Sequence, residues 1–184
     1  MPNYRRAREA TTYFFTVVTE NCAKILLEPH ARNALRNAML ECQNSYPFTT
    51  EAIALLPDHI HTIWTLPDTD TDYSRRWSFI KRRFTQTYLQ TGGLEQDIRK
   101  SKQKRRERGI WQRRFWEHEI KNDLEFERYT DYIHFNPGKH GLARCSSEYP
   151  HTTFHQFVGR GIYPNNWGCF EPPPTLPDTL ETGE

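Results

Sequence analysis

His59 and His61 are separated by one isoleucine within the largely apolar run from Ile53 to Leu66. Side chains two apart on a strand project from one face, so both imidazoles point the same way and make half of a metal site. Neutral imidazole binds divalent cations, and a cation beside a phosphate polarises it and stabilises the charge that develops in nucleophilic displacement. Downstream, Tyr132 and Asn136 are four residues apart, on neighbouring positions of one helix face if a helix reaches that far. A phenol is a nucleophile, and an amide oxygen suits a hard cation such as magnesium or manganese. The candidate site is therefore His59, His61 and Asn136 around Mg2+ or Mn2+, with Tyr132 attacking a phosphorus held there. Each residue also has a plain structural reading: an ordinary strand pair, a turn residue before Pro137, and one of nine tyrosines used in packing. The flanks Leu55-Leu56 and Ile63-Trp64 favour ligation, because imidazoles buried among them need polar partners. A nucleotide-hydrolase triad of alternating histidines is set aside, since residue 63 is isoleucine.

The surrounding sequence predicts the elements that hold these groups. Thr, Phe, Tyr and Val in 11–19 favour a strand. Residues 29–46 open on proline and place Leu35, Met39 and Leu40 at helical spacing. Two strands follow, 48–56 and 59–66, joined by the Pro57-Asp58 turn. A helix over 74–90, with Ser74 as N-cap, carries Trp77, Ile80, Phe84 and Tyr88 on one stripe. A mobile basic loop is expected over about 91–109, a strand over 111–120, and a helix over 123–135 that Asn136-Pro137-Gly138 stops. The order β-α-β-β-α-β-α is the split βαβ, ferredoxin-like pattern of an α+β protein: an antiparallel sheet with helices on one face and an irregular C-terminal extension. One domain over 1–169 is expected, followed by an acidic, proline-rich tail, 170–184, that stays disordered.

Charge adds a partner class. The formal net charge is only +2, yet residues 75–121 hold 15 Lys plus Arg against 5 Asp plus Glu. A concentrated positive region favours a polyanion through counterion release, and its alternative reading is a solvated charged face. Apolar stretches such as 13–18 are too short to span a bilayer and no signal-peptide pattern precedes them, so a cytoplasmic, nucleoid-associated protein without a membrane partner is expected. Cys22, Cys42, Cys145 and Cys169 form no Cys-x-x-Cys pair and are expected as reduced structural thiols.

The segments Leu56-Pro-Asp-His-Ile-His-Thr-Ile-Trp64, Ile110-Trp-Gln-Arg-Arg-Phe-Trp-Glu-His118 and Asp131-Tyr-Ile-His-Phe-Asn-Pro-Gly-Lys-His-Gly141 resemble those of the REP-associated tyrosine transposases, single-tyrosine HUH nucleases related to insertion-sequence transposases. The resemblance runs from about Tyr4 to Trp167 with its motifs in order. It implies a metal-dependent single-stranded DNA endonuclease and strand transferase acting on palindromic hairpins. Tyr132 would form a 5′-phosphotyrosine and free a 3′-hydroxyl, with His59, His61 and Asn136 as metal ligands. It implies no ATP requirement, and a monomer or homodimer. Tyr4, Arg5, Arg6, Arg75, Arg76, Lys81, Arg82 and Arg83 are the candidate DNA contacts, most of them positioning phosphates. Trp111, Phe115 and Trp116 suit either base stacking or the core. Residues 92–109 exceed the length in compact family members, and the acidic tail falls outside the matching motifs. The alternative, from another class, is a domesticated module that binds hairpin DNA with little or no catalysis. A third is a metal-dependent RNA-processing enzyme.

Overall fold

The computed structural model describes residues 11–169 together with Thr182 and Gly183. Tyr4, Arg5 and Arg6 lie outside the described residues, as do the remaining positions of the 170–184 tail. Four strands, β1 (Thr12–Val18), β2 (Thr49–Leu55), β3 (His59–Thr65) and β4 (Trp116–Ile120), form an antiparallel sheet in the order β2-β3-β1-β4. With helices α1 (Pro29–Ser45) and α2 (Tyr73–Gln90) between them, this is the ferredoxin-like α+β arrangement the pattern predicts.

Both faces of the sheet are covered, which explains why six of the seven residues of β1 are buried. Tyr13, Phe15 and Val17 face α1 and α2, and join Ile60, Trp64, Leu35, Trp77, Ile80 and Phe84 in one core. Ala31, Ala34 and Ala38 give α1 a small-residue face in that core. Phe14 points the other way and packs with Ile63, Ile120, Tyr129, Tyr132 and Ile133 in a second core under α4 (Asp123–Lys139). The expectation of helices on one face holds for α1 and α2. The helix after β4 takes the opposite face, because Tyr129, Tyr132 and Ile133 form an apolar stripe that needs its own sheet surface.

Other local differences have local causes. The N-cap of α2 is Asp72, whose carboxylate accepts from the Arg75 amide at 3.0 Å, so Ser74 lies inside the helix. Residues 91–109 contain a short helix, α3 (Lys100–Lys104), held by Gln96 N–H to Gly109 O at 2.9 Å and by Lys102 to Glu20 at 2.5 Å. β4 starts only at Trp116: Thr16 pairs with Trp116, but Thr19 bridges Trp111, a two-residue slip that breaks the ladder. Trp111 is buried in the first core, while Phe115 and Trp116 pack against the first and second cores respectively, so packing claims all three rings. α4 does not stop at Asn136 but runs through Pro137 to Lys139, with the His140 amide bonding Asn136 O at 3.0 Å. Proline lacks a donor, but here it costs only one bond in the last turn. A final short helix, α5 (Phe154–Gly159), packs Phe154 and Phe157 into the second core.

Candidate active site

β3 carries His59, His61 and Ile63 toward α4, and the antiparallel register sets Val18 opposite His59 and Thr16 opposite His61. His61 is fully buried and His59 is 7% exposed. The ring centroids lie 4.8 Å apart at 77°. Asp58, in the turn before β3, sits 2.6 Å from His59 Nδ1, and a carboxylate only accepts, so Nδ1–H donates to it. The Thr16 hydroxyl donates its hydrogen to the Thr182 carbonyl, so at 2.9 Å it can only accept from His61 Nδ1–H. These partners favour the Nδ1–H tautomer of each neutral imidazole, in which Nε2 is the basic nitrogen. Oxygen partners of this kind fix the tautomer of metal-binding histidines elsewhere.

α4 runs beside this strand. Asn122 caps it by accepting from the Glu125 amide at 2.9 Å, and Asp123 and Glu125 suit the positive end of its dipole. Tyr132, 6% exposed, packs edge-on against His61 with ring centroids 5.2 Å apart. His140 packs against His59, also at 5.2 Å. Asn136 is fully buried, one turn after Tyr132 and one before His140, so the helix period puts it on the same line facing the histidines. The four residues expected in the site are therefore brought together. Among the described residues no group of three His, Cys, Asp or Glu side chains is placed to hold a metal ion.

Several groups not expected from the sequence meet at Tyr132. Lys139 Nζ donates to its hydroxyl at 3.3 Å and lies 5.1 Å from its ring centroid. The hydroxyl in turn donates to Thr182 Oγ1 at 3.1 Å. Gly183 follows with φ +73°, where Trp116 leaves no room for a Cβ. Thr182, 7% exposed, is thus packed against the site, and the Gly183 backbone lies against Trp116. Asp58 was legible as a carboxylate beside a histidine in a turn. Lys139 became visible only once α4 passed Pro137, and Thr16 and Thr182 had no sequence signal.

His134, in the same motif, is structural. It is fully buried, bonds Thr153 at 2.9 Å, and burial pushes its pKa down to about 3. The basic residues expected on α2 are not gathered at the site. Arg76 is buried and pairs with Asp70 at 2.6 Å while donating to the carbonyls of Tyr46, Pro47 and Asp72. Lys81 donates to Gln112 O at 2.8 Å, and burial lowers its pKa to about 8. Arg83 pairs with Glu41 at 2.6 Å. Arg75 and Arg82 are exposed and lie over the rings of Tyr46 and Phe79, on the α1 and α2 side of the sheet. Cys145 and Cys169 form a disulfide, Cα atoms 4.1 Å apart, where reduced thiols were expected. The expectation weighed sequence spacing alone, and the loops after α4 bring these two together.

No protein-family profile matches the chain. A protein of Haemophilus influenzae named as a REP-associated tyrosine transposase is 41% identical over 169 residues, covering 91% of this chain and 94% of its own. The REP-associated tyrosine transposase of Escherichia coli K12 is 40% identical over 168 residues, 91% of each chain. A solved structure of a REP-associated tyrosine transposase bound to a REP hairpin superposes with a TM-score of 0.70 at 34% identity, covering 98% of this chain and 100% of that one. The chain belongs to the REP-associated tyrosine transposases.

Proposed function

We propose that the protein is a metal-dependent tyrosine nuclease and strand transferase of the HUH type, acting on single-stranded DNA that folds into palindromic, REP-like hairpins. The observation that carries this reading is the matched pair of Nδ1 bonds, His59 to Asp58 and His61 to Thr16, which aims two basic nitrogens along the helix face holding Tyr132 and Asn136. The hairpin-bound relative supports the substrate class. Bound Mg2+ or Mn2+, held by His59, His61 and Asn136, would polarise the scissile phosphate and offset its charge. Tyr132 Oη loses its proton to solvent and bonds to phosphorus, the P–O3′ bond breaks, and the leaving 3′-oxygen takes up a proton. The Lys139 ammonium, at hydrogen-bond distance, stabilises negative charge on Oη as it attacks and as it leaves on rejoining. The covalent link conserves the energy that rejoining needs, which removes a requirement for ATP.

Incubation with Mn2+ or Mg2+ and a labelled hairpin carrying a single-stranded flank is expected to give a denaturant-resistant protein–DNA adduct with wild type and none with Tyr132→Phe. Equal adduct from the variant would overturn the assignment. One observation favours the second reading, a hairpin-holding module with little catalysis: the Tyr132 hydroxyl is engaged by Thr182. Under that reading hairpin binding survives a chelator and no divalent ion yields adduct. No described helix is long and apolar enough to cross a membrane, and we place the protein with the chromosome in the cytoplasm, as a monomer or homodimer.

A further inference from the structure

We propose that the exposed cations of 99–114, on and around α3 and on the approach to β4, form the track on which the single-stranded flank of the substrate lies as it leaves the site. This rests on the reading that Tyr132 acts on DNA.

The site is least covered at the His59 end of β3: His59 is 7% exposed against none for His61, and His140, packed on His59, is exposed. That end of the sheet is also where the basic segment is anchored. Val18 pairs with His59. Thr19, the next residue, bonds the Asp58 carbonyl through both its amide and its hydroxyl at 2.9 Å. Glu20 follows, taking the Lys102 ammonium on its side chain and donating its amide to Ile110 O at 2.8 Å. Gln112 N–H bonds Val18 O at 3.0 Å. The segment is thus fastened at both ends to the strand terminus that holds His59 and its Asp58 partner.

Residues 94–108 carry seven Lys plus Arg against three acidic residues. Arg105 is neutralised by Glu107, Arg108 by Glu95, and Lys102 by Glu20. Arg99, Lys100, Lys104 and Arg106 are exposed and make no ion pair among the described residues, and the same holds for Arg113 and Arg114 just before β4. Six cations without an ion pair on a segment anchored at that end of the sheet would attract a strand passing within about one Debye length, ~8 Å at physiological salt. The one tryptophan of the segment, Trp111, is buried, so no aromatic platform reads bases there. Contacts limited to phosphates are indifferent to sequence, which suits a flank rather than a recognised hairpin.

The test compares two probes: a single strand of about twenty thymidines and a blunt DNA hairpin without flanks. Two variants alter the track, Lys100→Gln with Arg106→Gln, and Arg113→Gln with Arg114→Gln. A control removes two exposed cations elsewhere, Arg36→Gln with Arg160→Gln. Affinities measured by anisotropy at several salt concentrations should show each track variant weaker on the thymidine strand, with a log–log salt slope shallower by about 0.7 per lost phosphate contact. The blunt hairpin and the control should keep wild-type slopes. Wild-type slopes in the track variants, equal loss on the blunt hairpin, or equal loss in the control would each overturn the proposal. Failure of the nuclease reading shows up separately, as the absence of a wild-type adduct.

Discussion

At the scale of single residues, the chemistry depends on partners as much as on the groups named in the motif. Asp58 fixes the His59 tautomer through a 2.6 Å bond, so Asp58→Asn presents an amide that can orient the ring either way. The expected result is a metal affinity lowered about 10- to 100-fold, read by Mn2+ titration, with hairpin binding unchanged. Lys139 is expected to act on the reaction rather than on binding. Lys139→Met should slow adduct formation by on the order of tenfold, the size of one charge-assisted bond at an accessible site, while Lys139→Arg retains most of the rate. Single-turnover rates at saturating DNA, beside the dissociation constants, separate the two effects. A raised dissociation constant for Lys139→Met that Lys139→Arg restores, with an unchanged single-turnover rate, would make Lys139 a phosphate contact instead.

At the scale of elements, α4 is the part on which site and stability meet. Its buried His134 has a folded pKa of about 3, below the unfolded value near 6.5, so the folded chain refuses a proton that the unfolded chain accepts. Above pH 6.5 the residue is neutral in both states and contributes no pH dependence. As pH falls from about 6.5 toward 3, stability should fall by up to about 1.4 kcal/mol per pH unit from this group alone. Urea unfolding of wild type and His134→Gln across that window checks it, and an unchanged slope in the variant would show that other groups dominate. The C-terminal contact is the second element-scale device. Since the Thr182 hydroxyl accepts a hydrogen bond from Tyr132 and its carbonyl accepts one from Thr16, a chain ending after Cys169 is expected to form adduct faster than the full chain, measured on the same flanked hairpin. Slower adduct formation would mean that Thr182 helps order the site.

At the scale of the whole molecule, two cores share one sheet. The first, under α1 and α2, is built from apolar and aromatic side chains, and the basic side chains of α2 are largely spent on carbonyls and carboxylates of that layer. The second core carries the site and is finished by α5 and the segment leading to Cys169. The Cys145–Cys169 disulfide closes that segment across a separation of 24 residues. Cys145→Ser is expected to lower unfolding free energy by about 3.5 kcal/mol, the loop-closure value for a ring of this length, as read by denaturant midpoint under non-reducing conditions. No change would mean that the packing of Phe154, Phe157 and Tyr163 holds the segment without the bond.

Much of this protein is local enough to be written in its sequence. Period-2 and period-3.6 patterns foretell β1, β2, β3, α1 and α2 to within a residue or two, because strands and helices that bury one face must repeat their apolar residues at those intervals. His59 and His61 must share a face for the same reason, and Tyr132 and Asn136 must share one if their helix reaches both. What the pattern could not decide were outcomes set by partners distant in the chain. Whether Asn136 ends a helix depends on whether packing against the sheet repays the bond that Pro137 loses, and it does, carrying Lys139 round to Tyr132. Whether an arginine serves DNA or the fold depends on carbonyls that only the turn before β2 brings to Arg76. Which side of the sheet α4 covers, the Thr16 hydroxyl that sets the His61 tautomer, and the arrival of Thr182 at Tyr132 are likewise contacts across the fold. Such contacts are fixed by the register and layering of elements, and no spacing within a single element encodes them.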